Sequence, residues 1–164
     1  MWRVLVMSDS HGNSENVKRA IEKTREEAGD FQLLIHLGDV GDAREVEALA
    51  GVPSYIVRGN TDYDTKLREV NVILVGEHRL FLTHGHRYGV HGSLLALRNA
   101  ALENDCDIAI YGHTHVPFLD EDPDDVTILN PGSLTYPRQE GKKQTFVVME
   151  VDDEEEVTYE FYNL

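Results

Sequence analysis

The sequence predicts an α/β fold built on two sheets, and three observations carry that prediction. Short apolar runs alternate with helical patterns through the first 60 residues, which implies right-handed crossovers and a largely parallel sheet. From Val116 onward only strand signals remain, separated by acidic or glycine-containing turns. No internal repeat, low-complexity tract or linker interrupts the 164 residues, so a single domain over 1–164 is expected.

Val4 to Met7 is a short apolar run expected to be a buried strand, and it stops at the polar Ser8-Asp9-Ser10-His11. From Ser14 the period changes. Val17, Ala20, Ile21, Thr24 and Ala28 recur at helical spacing, and Gly29 ends the pattern. Leu33 to Leu37 is a second strand, closed by Gly38-Asp39. A weaker helical pattern covers Glu45 to Ala50, and after Pro53 a third strand, Tyr55 to Val57, runs to Gly59-Asn60. Val70 to Val75 and Leu80 to Thr83 read as strands around a turn at Gly76-Glu77. Ser93 is placed to cap a helix in which Leu94, Leu97 and Ala101 share a face, and Ile108 to Tyr111 is a further strand. The last strands are Val116 to Leu119, Val126 to Leu129, Phe146 to Val151 and Val157 to Tyr162. The C-terminal half is expected to close the second sheet by antiparallel pairing.

Charge narrows the function. Lys and Arg number 15 against 30 Asp and Glu, a formal charge of −15 that argues against a nucleic-acid partner. It does not argue against a phosphate ester held through cations, which invert the local electrostatics. Asp120 to Asp125 and Glu150 to Glu156 hold much of the excess and read as solvated turns. Cys106 is the only cysteine, so an intramolecular disulfide and a thiolate zinc cluster are both excluded. The apolar start is too short for a signal-peptide core and nothing approaches a membrane span, so a cytoplasmic location without a membrane partner is expected.

One pattern carries chemistry. Asp9-Ser-His11, Gly38-Asp39, Gly59-Asn60, His84-Gly-His86 and Gly112-His113-Thr-His115 each follow a predicted strand. In open α/β sheets ligands bind beyond the carboxyl ends of the strands, so these five segments are expected to converge on one cleft. Asp, His and Asn are oxygen and nitrogen donors suited to Mn, Fe, Zn, Ni or Mg. Alternate residues of an extended segment point the same way, so Asp9 and His11, like His113 and His115, are expected to reach one ion. Seven candidate donors exceed the need of one tetrahedral ion and fit two ions sharing a carboxylate.

This ordered set resembles the calcineurin-like metallophosphoesterase superfamily, whose members carry D-x-H, G-D, G-N, a lone His and G-H-x-H in that order. The resemblance spans Asp9 to His115 and continues to Asn130-Pro-Gly-Ser133, as in the small single-domain phosphodiesterase branch of bacteria and archaea. It implies a four-layer α/β/β/α sandwich, two mixed sheets flanked by helices. It implies that Asp9, His11, Asp39 and His115 hold one metal and that Asp39, Asn60, His84 and His113 hold the other, with Asp39 bridging. Asp39, Asn60 and His84 are the catalytic candidates. The cofactors would be two divalent ions, Mn²⁺ first, with Ni²⁺, Zn²⁺, Fe or Mg²⁺ as alternatives. The implied activity is hydrolysis of a small phosphate ester, as a phosphodiesterase, by a hydroxide shared between the ions. Some relatives, notably a vacuolar-sorting subunit of the retromer, act instead as scaffolds, so a non-catalytic interaction module is the alternative.

Many members read G-N-H-D or G-N-H-E, whereas this chain reads Gly59-Asn60-Thr61-Asp62. Threonine is a poor general acid, so esters with good leaving groups should be favoured. Arg58 and His86 are candidates for substrate contact or support of the site, and Asp62 for orienting a neighbour. His36, inside the second strand, is expected to be a hydrogen-bonded core histidine, and His78 and His91 are expected to face solvent. Ser10 has no identifiable base and is not expected to act as a nucleophile. Trp2, Phe118 and Tyr136 are candidates for an apolar contact in a homo-oligomer.

Overall fold

Two five-stranded sheets stack face to face in the computed structural model, which describes residues 1–164. The first contains β1 (Trp2–Met7), β2 (Leu33–His36), β3 (Ser54–Ile56), β9 (Thr145–Val151) and β10 (Val157–Asn163), in the order β10-β9-β1-β2-β3. The second contains β4 (Val70–Val75), β5 (His78–Thr83), β6 (Ile108–Ile110), β7 (Phe118–Asp120) and β8 (Thr127–Asn130), in the order β4-β5-β6-β8-β7. Helices α1 (Ser14–Glu27), α2 (Ala43–Ala50) and α3 (Leu95–Glu103) complete the chain, with one 3₁₀ turn at His86–Tyr88. None of these helices is long and apolar enough to cross a membrane.

Three apolar layers give the stacking. Val4, Val6, Ile35, Leu80, Leu82, Ile110, Leu129, Val147 and Met149 pack between the sheets. Leu5, Met7 and Leu34 point the other way, meeting Val17, Ala20 and Ile21 of α1 and Val46 of α2. Phe81, Ala109 and Ile128 meet Leu97 and Ala101 of α3. The layers therefore run helix, sheet, sheet, helix. Each large side chain taken out of water contributes about 1.5–3 kcal/mol to that order.

Local chemistry sets the helix ends. The Asn13 side chain accepts from Asn16 N at 3.0 Å and opens α1. Ala28 N and Gly29 N both donate to Thr24 O, at 2.8 and 2.9 Å, and close it. Ser93 misses the capping position of the third helix by one residue: the N-cap is Leu94, which has no side-chain capping bond, and Ser93 Oγ accepts only from Leu95 N at 3.1 Å.

The C-terminal strands depart from expectation. They return to the first sheet rather than closing the second: β9 runs antiparallel to β1, and β10 antiparallel to β9. The reason is two-sided burial. Val147 and Met149 face the other sheet while Phe146 and Val148 face α1, and a strand apolar on both faces belongs in a sheet interior. The second sheet instead has a parallel centre, β5-β6-β8, with β4 and β7 as antiparallel edges. Pairing of β7 begins at Phe118 rather than Val116, because Pro117 has no N–H to give. The parallel strands β1, β2, β5, β6 and β8 are each followed by a loop at the same end of the sandwich, and so is β3.

Candidate metal centre

The loops after β1 and β2 run side by side. Asp9 N donates to Gly38 O at 3.0 Å, His11 N to Asp39 O at 2.8 Å and Gly12 N to Val40 O at 3.2 Å, so parallel pairing continues past the strand ends. Sequence reasoning expected these segments to be extended, and they are not. Asp9, His11, Asp39, His113 and His115 lie in the left-handed region, with φ of 55°, 49°, 52°, 70° and 61°. That conformation costs about 1–2 kcal/mol at each non-glycine residue, and it persists because neighbouring groups over-determine it.

Two glycines let the loops touch. A Cβ at Gly59 would stand 2.1 Å from Asp39 Oδ1 and 2.3 Å from Asp39 N. A Cβ at Gly112 would stand 2.1 Å from Ser8 Oγ and 2.7 Å from Asp9 Oδ2, where the loops of the two sheets meet.

Six of the seven donors then surround a small volume in short steps. Donor atoms of Asp9, His11, Asp39 and His115 all lie within 4.8 Å of one another. Asp9 Oδ1 is 3.1 Å from His115 Nε2 and 3.8 Å from both His11 Nε2 and His84 Nε2. Asp39 Oδ2 is 3.3 Å from His84 Nε2 and 3.8 Å from His11 Nε2. His84 Nε2 is 3.2 Å from His113 Nδ1. Asn60, the seventh, joins there: its Oδ1 is 3.1 Å from His113 Nδ1.

The outer atoms of these side chains are held. His84 Nδ1 donates to Leu37 O at 2.6 Å and His115 Nδ1 to Tyr136 O at 2.7 Å, which leaves each Nε2 lone pair facing inward. Asp9 Oδ2 accepts from Ser8 Oγ at 2.5 Å and His113 N at 3.1 Å, while Asp39 Oδ1 accepts from Thr61 N at 2.9 Å. Asp62 is a clamp: Oδ2 accepts from Gly59 N at 2.8 Å and Asp39 N at 2.9 Å, and Oδ1 from Val40 N at 3.0 Å and Gly41 N at 3.3 Å. The Arg58 guanidinium donates through Nε to Asp62 O at 3.1 Å, bracing the same loop. Asn130-Pro-Gly-Ser133 braces the other side. Asn130 Nδ2 donates to Gly112 O and Ser133 Oγ to Asp9 O, at 3.1 and 2.9 Å.

Sequence reasoning missed two neighbours, Tyr136 and His91. Tyr136 offers His115 a main-chain carbonyl, which has no sequence signature, and its ring packs edge-on to His11 with centroids 5.2 Å apart. His91 is exposed as expected, yet its ring stands 4.7 Å from that of His113 at the rim. His86, a candidate from the sequence, sits beside His84, ring centroids 5.5 Å apart, with its Nδ1 buried and without a hydrogen bond. His78 starts β5, at the opposite end of that strand from His84, and is not free in solvent: Asp107 Oδ2 is 2.5 Å from Nδ1, and Glu155 O is 2.7 Å from Nε2. His36 is fully buried and bonded at both nitrogens, as expected of a core histidine.

Electrostatics and satisfaction both fit a divalent cation. Burial opposes charge on Asp9 and Asp39, yet the neighbouring His115 and His84, with the Ser8 hydroxyl, hold the first, and His84 with Thr61 the second, below the usual carboxylate range. Burial lowers His84, but Asp39 and Asp9 pull it upward on balance. Burial, aided by the charges of His84 and His91, pushes His113 down to about 4, so its nitrogen is a free base near neutrality. Asp9 Oδ1 is buried without any hydrogen bond, an uncompensated carboxylate oxygen aimed at three imidazoles. Hard oxygen and borderline nitrogen donors facing inward are the ligand set of a divalent transition ion. Beside them opens a cleft of about 290 Å³, lined by His11, Gly41, Thr61, Asp62, Tyr63 and Asp64.

Known proteins resemble this chain over most of its length. YsnB of Bacillus subtilis, a probable metallophosphoesterase, is 30% identical over 160 residues, covering 98% of this chain and 90% of the relative. Phosphodiesterase YfcE of Escherichia coli is 30% identical over 161 residues, covering 84% and 82%. The crystal structure of a predicted phosphoesterase from Streptococcus pneumoniae superposes with a TM-score of 0.78 at 28% identity, covering 99% and 98%. Vps29 of Entamoeba histolytica, crystallised with Zn²⁺, shares the fold at a TM-score of 0.74 and 23% identity, covering 98% of both chains. Residues 2–154 match the calcineurin-like phosphoesterase superfamily domain, and the chain belongs to that superfamily.

Proposed function

We propose that this chain is a phosphodiesterase that holds two divalent ions around Asp39 and hydrolyses a small phosphate ester. Asp9, His11, Asp39 and His115 would hold one ion; Asp39, Asn60, His84 and His113 would hold the other. The observation that carries the reading is the position of Asp39 Oδ2, within 3.3 Å of His84 Nε2 on one side and 3.8 Å of His11 Nε2 on the other. The name of the relative YfcE supports a diester over other phosphate esters.

Two such ions, when bound, neutralise phosphoryl oxygens and lower the pKa of water enough for hydrolysis near neutral pH. The chain's own groups do the rest. The Leu37 and Tyr136 carbonyls fix the tautomers of His84 and His115, and the Thr61 amide orients the Asp39 carboxylate. The cleft over His11, Thr61 and Tyr63 receives the ester. At Thr61 no side-chain acid is present to protonate the leaving oxygen, which therefore departs as an anion. Diesters of acidic alcohols, such as aryl esters, are turned over best.

The test is hydrolysis of bis-p-nitrophenyl phosphate with Mn²⁺ or Ni²⁺, alongside Asp39→Asn and His84→Ala. Metal-dependent activity in the parent protein, lost in both variants, is the expected result. A metal-loaded protein inert toward a panel of diesters contradicts hydrolysis and favours the scaffold reading, which the shared fold with Vps29 keeps in view. The complete donor set, Asn60 included, favours the enzyme.

A further inference from the structure

We infer that His36 is a positioning residue that locks the loop carrying Asp9 and His11 against the loop carrying Asp39; this rests on the reading of those three as metal ligands. His36 ends β2 and is completely buried. Its Nδ1 accepts from Gly38 N at 3.1 Å, so the ring proton sits on Nε2 and is donated to Ser10 Oγ at 2.9 Å. The Ser10 hydroxyl in turn donates to Val40 O at 3.3 Å. The circuit Gly38, His36, Ser10, Val40 flanks Asp39 on both sides of its own loop. It enters the neighbouring loop at the residue between Asp9 and His11.

Physical reasoning separates this from ordinary core packing. A buried imidazole is costly unless both nitrogens are bonded, and an aliphatic residue in β2 would fill the same space without that demand. Both nitrogens are used up on the two loops, so His36 is not itself a ligand. What the circuit does is hold the left-handed backbone of Asp9, His11 and Asp39 in place. Asp62 braces the Gly38–Gly41 side and Ser133 the Asp9 side, whereas the His36–Ser10 pair joins the two loops through side chains. Cutting it lets the carboxylates drift apart.

The test is Mn²⁺ titration calorimetry, with thermal unfolding in EDTA and in saturating Mn²⁺, on the parent protein and on His36→Leu, His36→Asn and Ser10→Ala. His36→Leu should weaken Mn²⁺ binding about 10–100-fold. It should also shrink the rise in Tm that Mn²⁺ confers, which a merely structural loss would leave unchanged. His36→Asn keeps an acceptor for Gly38 N and should recover part of the affinity. Ser10→Ala cuts the same circuit with little change of volume and carries the test if His36→Leu fails to fold. Parent-like affinity in Ser10→Ala, or in a folded His36→Leu, overturns the inference alone. A parent protein that takes up no Mn²⁺ overturns the ligand reading beneath it as well.

Discussion

Replacing Asp62 by asparagine removes a charge and an acceptor but no volume. The side chain is buried and its two oxygens accept from four main-chain N–H groups at 2.8–3.3 Å. Asparagine keeps one oxygen, so in either orientation two of those N–H groups face an NH₂. Hydrogen bonds to a charged acceptor contribute about 1.5–3 kcal/mol each, and a buried donor left unpaired costs about 1–3 kcal/mol. Losing two, with some relief from loop movement, gives about 3–5 kcal/mol. At about 2–4 °C per kcal/mol for a chain of this size, Tm should fall by roughly 10 °C. Urea unfolding followed by circular dichroism in EDTA measures the change without metal. Because Asp39 N is one of the donors, Mn²⁺ affinity should drop as well. A loss below about 1 kcal/mol would refute the clamp, since it would mean the amide is accommodated without stranding any donor.

Other outcomes follow from the same contacts. Ser133→Ala removes the hydroxyl that donates to Asp9 O and accepts from Thr135 N and Tyr136 N, and should cost about 1–3 kcal/mol in urea unfolding while weakening Mn²⁺ uptake. Burial lowers His78, but bonds to Glu155 O and Asp107 raise it above the usual value overall, so its contribution is fully present below about pH 6.5 and is lost as pH rises through the folded-state pKa. The Tm gap between the parent protein and Asp107→Asn should therefore be wider at low pH than at high pH; an equal gap contradicts the pair. Leu129→Ala opens a hole between the sheets and should cost about 2–5 kcal/mol. Across aryl and alkyl diesters, kcat should climb steeply as leaving-group pKa falls, and a flat series would contradict the reading of Thr61.

Much of this site was legible because its signal is local. Each donor segment is a polar residue placed just after an apolar run, and glycine appears where neighbouring atoms leave no room for a Cβ, as at Gly59 and Gly112. What was not legible depends on partners distant in sequence. The left-handed backbone at Asp9, His11 and Asp39 is imposed by the adjoining loop and by Asp62, not by the residues' own preferences. The apolar run of β9 announces a strand buried on both faces, but not that it would lie beside β1. Tyr136 acts through a carbonyl every residue possesses, and His91 reaches His113 only once the loop before α3 is folded. His78 finds Asp107 and Glu155 across two other turns, a pairing no spacing rule encodes.

Anomalous diffraction from a crystal soaked in Mn²⁺ addresses the central claim most directly. Two peaks about 3.5–4 Å apart, both in contact with the Asp39 carboxylate, are the predicted result. No peak among these side chains, or a single ion bound away from Asp39, would contradict it.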